Sequence, residues 1–293
     1  MTWGLALGGG GVVGLAWEVG VLRSLEEAGL PRADTADVIV GTSAGSILGA
    51  WLRRGRSTIE LEAQIEAGAL RLPGRARPLQ SDEDRRLYAE VLRLWARPAA
   101  MSREQAADVG AAAARVTRED PERLKCFEAE FGAEWPEDRL LVTTCRISDG
   151  ARCAWDRDPS VPLHLAIAGS CTVPGLSAPL SIDGDRHIDG GVWSSTNADL
   201  LAGEGVHDVV ALSPMAGAMG LGRAQAARLD AECDRLAAIG AEAVPVTPGE
   251  DFREARVDLL DAGRSKEALA MGRTAGERAV VRIQHLVGVK YSD

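Results

Sequence analysis

Two short apolar runs, "WGLAL" at residues 3–7 and "ADVIVG" at 36–41, each end in glycine and pass directly into a helical pattern. No other feature narrows the fold so far. An unbroken apolar run of this length reads as a strand buried on both faces, and a buried strand feeding a helix calls for a crossover to a parallel neighbour. The chain thus opens as strand–helix–strand–helix, the start of an α/β fold with a central, mostly parallel sheet. The first helix is expected over 14–29, with Leu15, Val19, Leu22 and Leu25 at helical spacing and Gly29 closing it. The second is expected from Ala44 to Arg54.

Between 56 and 137 the alternation stops and the sequence turns rich in Ala, Arg and Glu. Within it, "DEDRRLYAEVLRLWARP" places Leu87, Val91, Leu94 and Trp95 on one helical face. This reads as a helical insertion, or cap, within one domain spanning 1–293, and its apolar surface, Trp95 included, is a candidate acyl-binding wall. Strands resume at 139–147 and 153–156, and "PLHLAIAGSCTVPG" gives a short helix running into a turn. "PLSIDGDRHIDGG" reads as a hairpin turning at Asp183-Gly184, with Asp189 at the end of its second strand. Strands at 208–214 and 243–248 and helices at 223–238 and 265–287 complete the alternation.

Composition excludes more than it assigns. With 46% apolar residues, 26% charged residues and a net charge of −10, the chain reads as globular and poorly suited to nucleic acid, whose phosphates require clustered Lys and Arg. Five cysteines (Cys126, Cys145, Cys153, Cys171, Cys233) without CxxC spacing fit reduced thiols rather than a disulfide framework or a zinc site. The N-terminus lacks a basic n-region, and no run approaches the roughly 18 apolar residues of a membrane span. A soluble, cytoplasmic protein is expected.

Three features could carry chemistry. Gly41-Thr42-Ser43-Ala44-Gly45 has the form G-x-S-x-G between a strand and a helix, where flanking glycines allow a turn sharp enough to expose a hydroxyl. Ser43 is either a nucleophile there or the N-cap of the second helix. The second feature is the run Gly8 to Gly11 with Gly14, whose unshielded N–H groups suit an anion. Gly9-x-Gly11-x-x-Gly14 has the form of a dinucleotide fingerprint, but the next strand ends in the serine turn, and its acid, Asp37, stands at the strand's start. No GK[ST] follows, so the run is not a Walker loop. An oxyanion hole for a tetrahedral intermediate is the reading that also uses Ser43. The third requirement is a base. Of four histidines (His164, His187, His207, His285), only His187 alternates along a strand with an acid, Asp189. Asp189, followed by Gly190-Gly191, could take a serine proton directly if desolvated, or "DGG" could be only a turn.

Taken in order, "LALGGGGVVGLAWEVGVLRSLEEAG", "VIVGTSAGSILGA" and "LAIAGSCTVPGLSAPLSIDGDRHIDGGVWSSTNADLL" resemble the patatin-like phospholipase family, with a weaker echo in "LLDAGRSKEALAMGRTAG". The resemblance implies a three-layer α/β/α sandwich and a Ser–Asp dyad in place of a triad. Ser43 is then the nucleophile, Asp189 its base, and the Gly9, Gly10, Gly11 run the oxyanion hole, with Gly10 and Gly11 as donors. Gly14, Gly41, Gly45, Gly190 and Gly191 support these turns. The implied chemistry is calcium-independent cleavage of lipid acyl esters without metal or cofactor, with a lipid ester or phospholipid as substrate and peripheral contact with membranes. The family's glycine motif usually carries Arg or Lys just before its last glycine; here that position is Val13, which points toward a neutral ester or thioester. A His187 triad, a nucleotide-binding module on Gly9 to Gly14 and a catalytically silent lipid-binding protein remain as alternatives. Headgroup, chain length and oligomeric state are not encoded in any readable motif.

Overall fold

The computed structural model describes residues 2–74, 79–97, 100–116, 119–255 and 258–288. Its strands are β1 (Trp3–Leu7), β2 (Val38–Gly41), β3 (Arg139–Arg146), β4 (Arg152–Trp155), β5 (Leu180–Ile182), β6 (Asp185–Asp189), β7 (Asp208–Leu212) and β8 (Glu242–Val246). They form one sheet in the order β5-β6-β3-β2-β1-β7-β8, with β4 also paired to β3. From β3 through β2, β1 and β7 to β8 every pairing is parallel; β4 and β6 run antiparallel to β3, and β5 to β6.

Helices cover both faces, and the two-residue period of the strands decides which side chains meet which layer. Leu5, Leu7, Ile39, Leu140, Val142, Val210, Leu212, Val244 and Val246 share one core cluster. That cluster includes residues of α1 (Gly11–Glu27), α2 (Ala44–Arg53), α7 (Leu163–Ser170) and α10 (Ser265–Ile283). The alternate residues, Ala6, Val38, Val40, Leu141, Val209 and Ala211, pack with Leu229 and Leu236 of α8 (Gly222–Ala238). This is the expected three-layer α/β/α arrangement.

The expected helical segment provides α3 (Thr58–Glu66), α4 (Asp82–Trp95), α5 (Arg103–Ala113) and α6 (Pro121–Phe131), and α9 (Glu250–Glu254) follows β8. Serine capping boxes at Ser57/Glu60, Ser81/Asp84 and Ser102/Gln105 start three of them. On α4, Leu87, Val91 and Trp95 are buried and Leu94 packs half-buried beside them. They join Met101, Val109, Cys145, Ile188 and Val192 in a separate apolar cluster against β3 and β6.

The register of β3 brings two distant strand ends together. Val142 pairs with both Gly41 and Trp155, and Thr144 with both Cys153 and Asp189. Because a residue has one partner per flank, β4 occupies one flank and β2 and β6 share the other, end to end. The C-terminal ends of β2 and β6 therefore face each other along β3.

Candidate active site

Ser43 follows β2 and holds φ 54°, ψ −122°, a region that costs a non-glycine residue strain of about 1–3 kcal/mol. Contacts on all sides hold it there. Its N–H donates to Ser170 Oγ (2.8 Å), and its carbonyl accepts from Ser46 Oγ (2.6 Å). Thr42 N–H donates to Leu7 O (3.0 Å), tying the turn to β1. Gly45 is required by close approach: a Cβ there would lie 2.1 Å from Leu7 O. Although Ser43 stands at the N-cap of α2, its side chain makes no capping hydrogen bond. Its side chain instead interacts with that of Asp189, whose charged form it favours.

Asp189 ends β6 and is 2% exposed. Its own N–H donates to Thr172 O (2.9 Å), and Oδ1 accepts the N–H of Gly191 (2.8 Å), so the Gly190-Gly191 turn fixes the carboxylate's orientation. Burial raises its pKa to about 6, against the opposing pull of the Ser43 hydroxyl, the Gly191 N–H and the Arg123 cation. A carboxylate so placed titrates close to neutrality, where a general base is effective.

His187 lies on the same strand but serves a different contact. Its Nδ1 meets Thr144 Oγ1 (3.0 Å), which also accepts the Trp155 indole N–H (2.9 Å), and its ring sits edge-on to Trp155. Burial lowers its pKa to about 4, leaving it neutral across the physiological range. His164 donates through Nδ1 to Gly132 O (2.9 Å). The titratable side chain coupled to Ser43 is the acid.

The glycine run divides its N–H groups. Gly8 donates to Glu18 Oε1 (2.6 Å), a buried carboxyl whose pKa burial pushes well above the ordinary range. Gly9 donates to Ser195 O (2.8 Å), so of the expected Gly9, Gly10, Gly11 oxyanion run the Gly9 amide is already spent. Gly9 instead allows close approach, since a Cβ there would lie 3.2 Å from Ser43 Cβ. Among the described residues, no acceptor takes the N–H of Gly10 or Gly11, nor that of Ala44 at the start of α2. Gly11 has φ 59°, and a Cβ there would meet Leu259 O at 2.5 Å. Val13 is buried in the core and its N–H donates to Leu259 O (3.2 Å). No group of three or more His, Cys, Asp or Glu side chains among the described residues is arranged to hold a metal ion.

Residues 5–202 match the patatin-like phospholipase family. The chain belongs to that family. It is 28% identical over 209 residues to a lysophospholipase, nte1, of Aspergillus niger, covering 71% of this chain and 12% of that protein. It is 30% identical over 188 residues to lysophospholipase NTE1 of Coccidioides immitis, covering 64% and 10% respectively. The chain thus spans about a tenth of the length of these curated relatives. Among solved structures, VipD from Legionella pneumophila matches with a TM-score of 0.50 and 13% identity, over 96% of this chain and 67% of VipD, a likeness of fold. No described helix is long and apolar enough to cross a membrane, and all five cysteines are free.

Several residues around this patatin-like site were invisible to motif reading. Asn197, in left-handed conformation (φ 51°), is fully buried. Its Nδ2 points at Thr42 Oγ1 (3.0 Å), Thr143 Oγ1 (3.3 Å), Gly190 O (3.4 Å) and Ser194 O (2.7 Å), bracing the serine turn to the aspartate turn. From α8, Gln225 accepts Ser195 N–H (2.9 Å), while Arg228 donates to Val192 O (3.1 Å) and Trp95 O (2.7 Å). Trp95 itself is 4% exposed, and its indole N–H donates to Gly191 O (2.8 Å). It is therefore not part of an open acyl groove, as the sequence suggested, but a buried support of the Asp189 turn.

Proposed function

We propose that this protein cleaves carboxylic esters of lipids, in the manner of a lysophospholipase or phospholipase A, through a Ser43–Asp189 dyad and an acyl-enzyme intermediate. The observation that carries the reading is the meeting of Ser43 with the buried Asp189 carboxyl, whose charged form it favours, beside the unpaired N–H groups of Gly10 and Gly11. Asp189 takes the Ser43 proton as the oxygen attacks the ester carbonyl. The N–H groups of Gly10 and Gly11, joined by Ala44 at the helix N-terminus, receive the oxyanion. Protonated Asp189 then gives its proton to the leaving alkoxide as the acyl-enzyme forms. In the second half it removes a proton from water, which attacks the acyl carbonyl and releases the fatty acid.

Residues 56–137 form a cap on this site in the same proposal, supported by the shared apolar cluster of α4, α5 and β6. Leu260, exposed beside Gly11, offers an apolar contact at the rim for an acyl chain. The test is release of fatty acid from a single-chain lysophospholipid, a diacyl phospholipid and a neutral acyl ester, measured across pH. At least one of them is expected to turn over, with kcat/KM falling about tenfold per pH unit below the Asp189 pKa, since the base must be ionised. That places the acidic limb at about 6. Absence of fatty acid from all three substrates would refute the reading, and a limb near pH 4 would remove Asp189 as the buried base.

A further inference from the structure

The two proposed catalytic residues touch a common piece of backbone: the last residue of α7 and the turn that follows. Ser170 Oγ accepts the N–H of Ser43 (2.8 Å), and two residues later Thr172 O accepts the N–H of Asp189 (2.9 Å). A helix end exposes carbonyls without partners, so this turn needs outside help to keep its shape. Part of it is internal, Thr172 Oγ1 donating to Ala168 O (2.8 Å). The rest comes from another element. Arg123 of α6 sends Nη2 to Cys171 O (2.7 Å) and Ala168 O (3.4 Å) and Nε to Gly74 O (3.1 Å), with its guanidinium over Phe127. A cation at a helix C-terminus is also favoured by the dipole.

We propose that Arg123 is a positioning residue for ester cleavage: by clamping the Ser170–Thr172 turn, it sets the spacing between Ser43 and Asp189. With Nη2 on the two turn carbonyls and Nε on Gly74 O, the planar guanidinium ties the turn to a second segment in a way a lysine ammonium does not reproduce. The same guanidinium acts electrostatically on Asp189, and it is the cation that opposes the effect of burial there. The other titratable groups facing Asp189 are the thiols of Cys171 and Cys145, both pushed up to about 12 by burial and therefore neutral. Arg123 thus has two separable effects, one geometric and one electrostatic.

The inference rests on the function proposed above, and the variants separate the two. Arg123→Lys keeps the charge and loses the planar guanidinium; kcat is expected to fall about 10- to 100-fold with KM within about twofold and the acidic limb unmoved. Arg123→Met loses both; kcat is expected to fall similarly, and the limb to move up by about half a unit or more, because a cation no longer favours the carboxylate. Ser170→Ala, which removes only the acceptor for Ser43 N–H, should lower kcat about tenfold with the limb in place, and serves if the Arg123 variants fail to fold. Wild-type kcat in folded Arg123→Lys and Arg123→Met, or in Ser170→Ala where those do not fold, overturns the clamp. An inactive wild type would overturn the function as well, whereas an active wild type that needs Asp189 leaves the function standing whatever Arg123 does.

Discussion

Asp189→Asn is expected to abolish ester turnover and to stabilise the protein at the same time. An amide cannot accept the serine proton, so kcat/KM should fall by about 10²- to 10⁴-fold, the usual worth of a general base. The stability effect follows from the raised pKa, from 3.8 to about 6 in the folded protein. A buried acid with a raised folded pKa prefers its proton, so the native state loses stability as pH rises from the unfolded pKa through the folded one. Above about pH 6 the loss reaches roughly 3 kcal/mol, from 1.36 kcal/mol per unit. Asn carries no such cost, and its Oδ1 can still accept the Gly191 N–H. Thermal unfolding should therefore show equal Tm values at pH 4 and a variant more stable by a few degrees at pH 8. A constant difference across pH would mean that Asp189 is not strained by burial.

The second large effect is purely steric. Gly45→Ala would put a methyl group 2.1 Å from Leu7 O and 2.4 Å from Leu7 C, backbone atoms of the central strand that no rotamer change can move. Since α2 and β1 must separate, a destabilisation of at least about 3–5 kcal/mol is expected, enough to leave little soluble protein. Gly203→Ala is the control: nothing lies within 4 Å of its added Cβ, and the backbone there does not require positive φ. It should stay within about 1 kcal/mol of wild type. Denaturant titration of the two variants compares them directly. A folded, soluble Gly45→Ala protein would show that α2 tolerates displacement.

The sheet was readable because its central strands are apolar, the first two running into glycine. β1, β2, β3 and β7 lie within the segments where periodicity put them, β8 begins one residue earlier, and Asp183 (φ 48°) and Gly184 (φ 81°) make the expected hairpin turn. Helix α1 begins three residues before the expected start, at Gly11, because the glycine run itself supplies the first turn. Of the helices of 56–137 only α4 was singled out, although three S-x-x-[E/Q/D] capping patterns mark helix starts there. What no local pattern contains is the meeting of β2 and β6 on one flank of β3, since it depends on the register of a third strand. For the same reason Ser170, Asn197, Arg123 and Arg228 left no signal: each acts on groups far away in sequence. That the Gly9 amide is spent left no signal either, because it depends on whether Ser195 O reaches it.

The central claim is that Ser43 is an activated nucleophile, and covalent labelling tests it most directly. Purified protein would be treated with a long-chain alkyl fluorophosphonate at pH 8 and the adduct located by peptide mass spectrometry. A single adduct on Ser43, strongly slowed in Asp189→Asn, is the predicted result. No adduct at Ser43 under conditions that label a known serine esterase would contradict the account, as would equally fast labelling in Asp189→Asn.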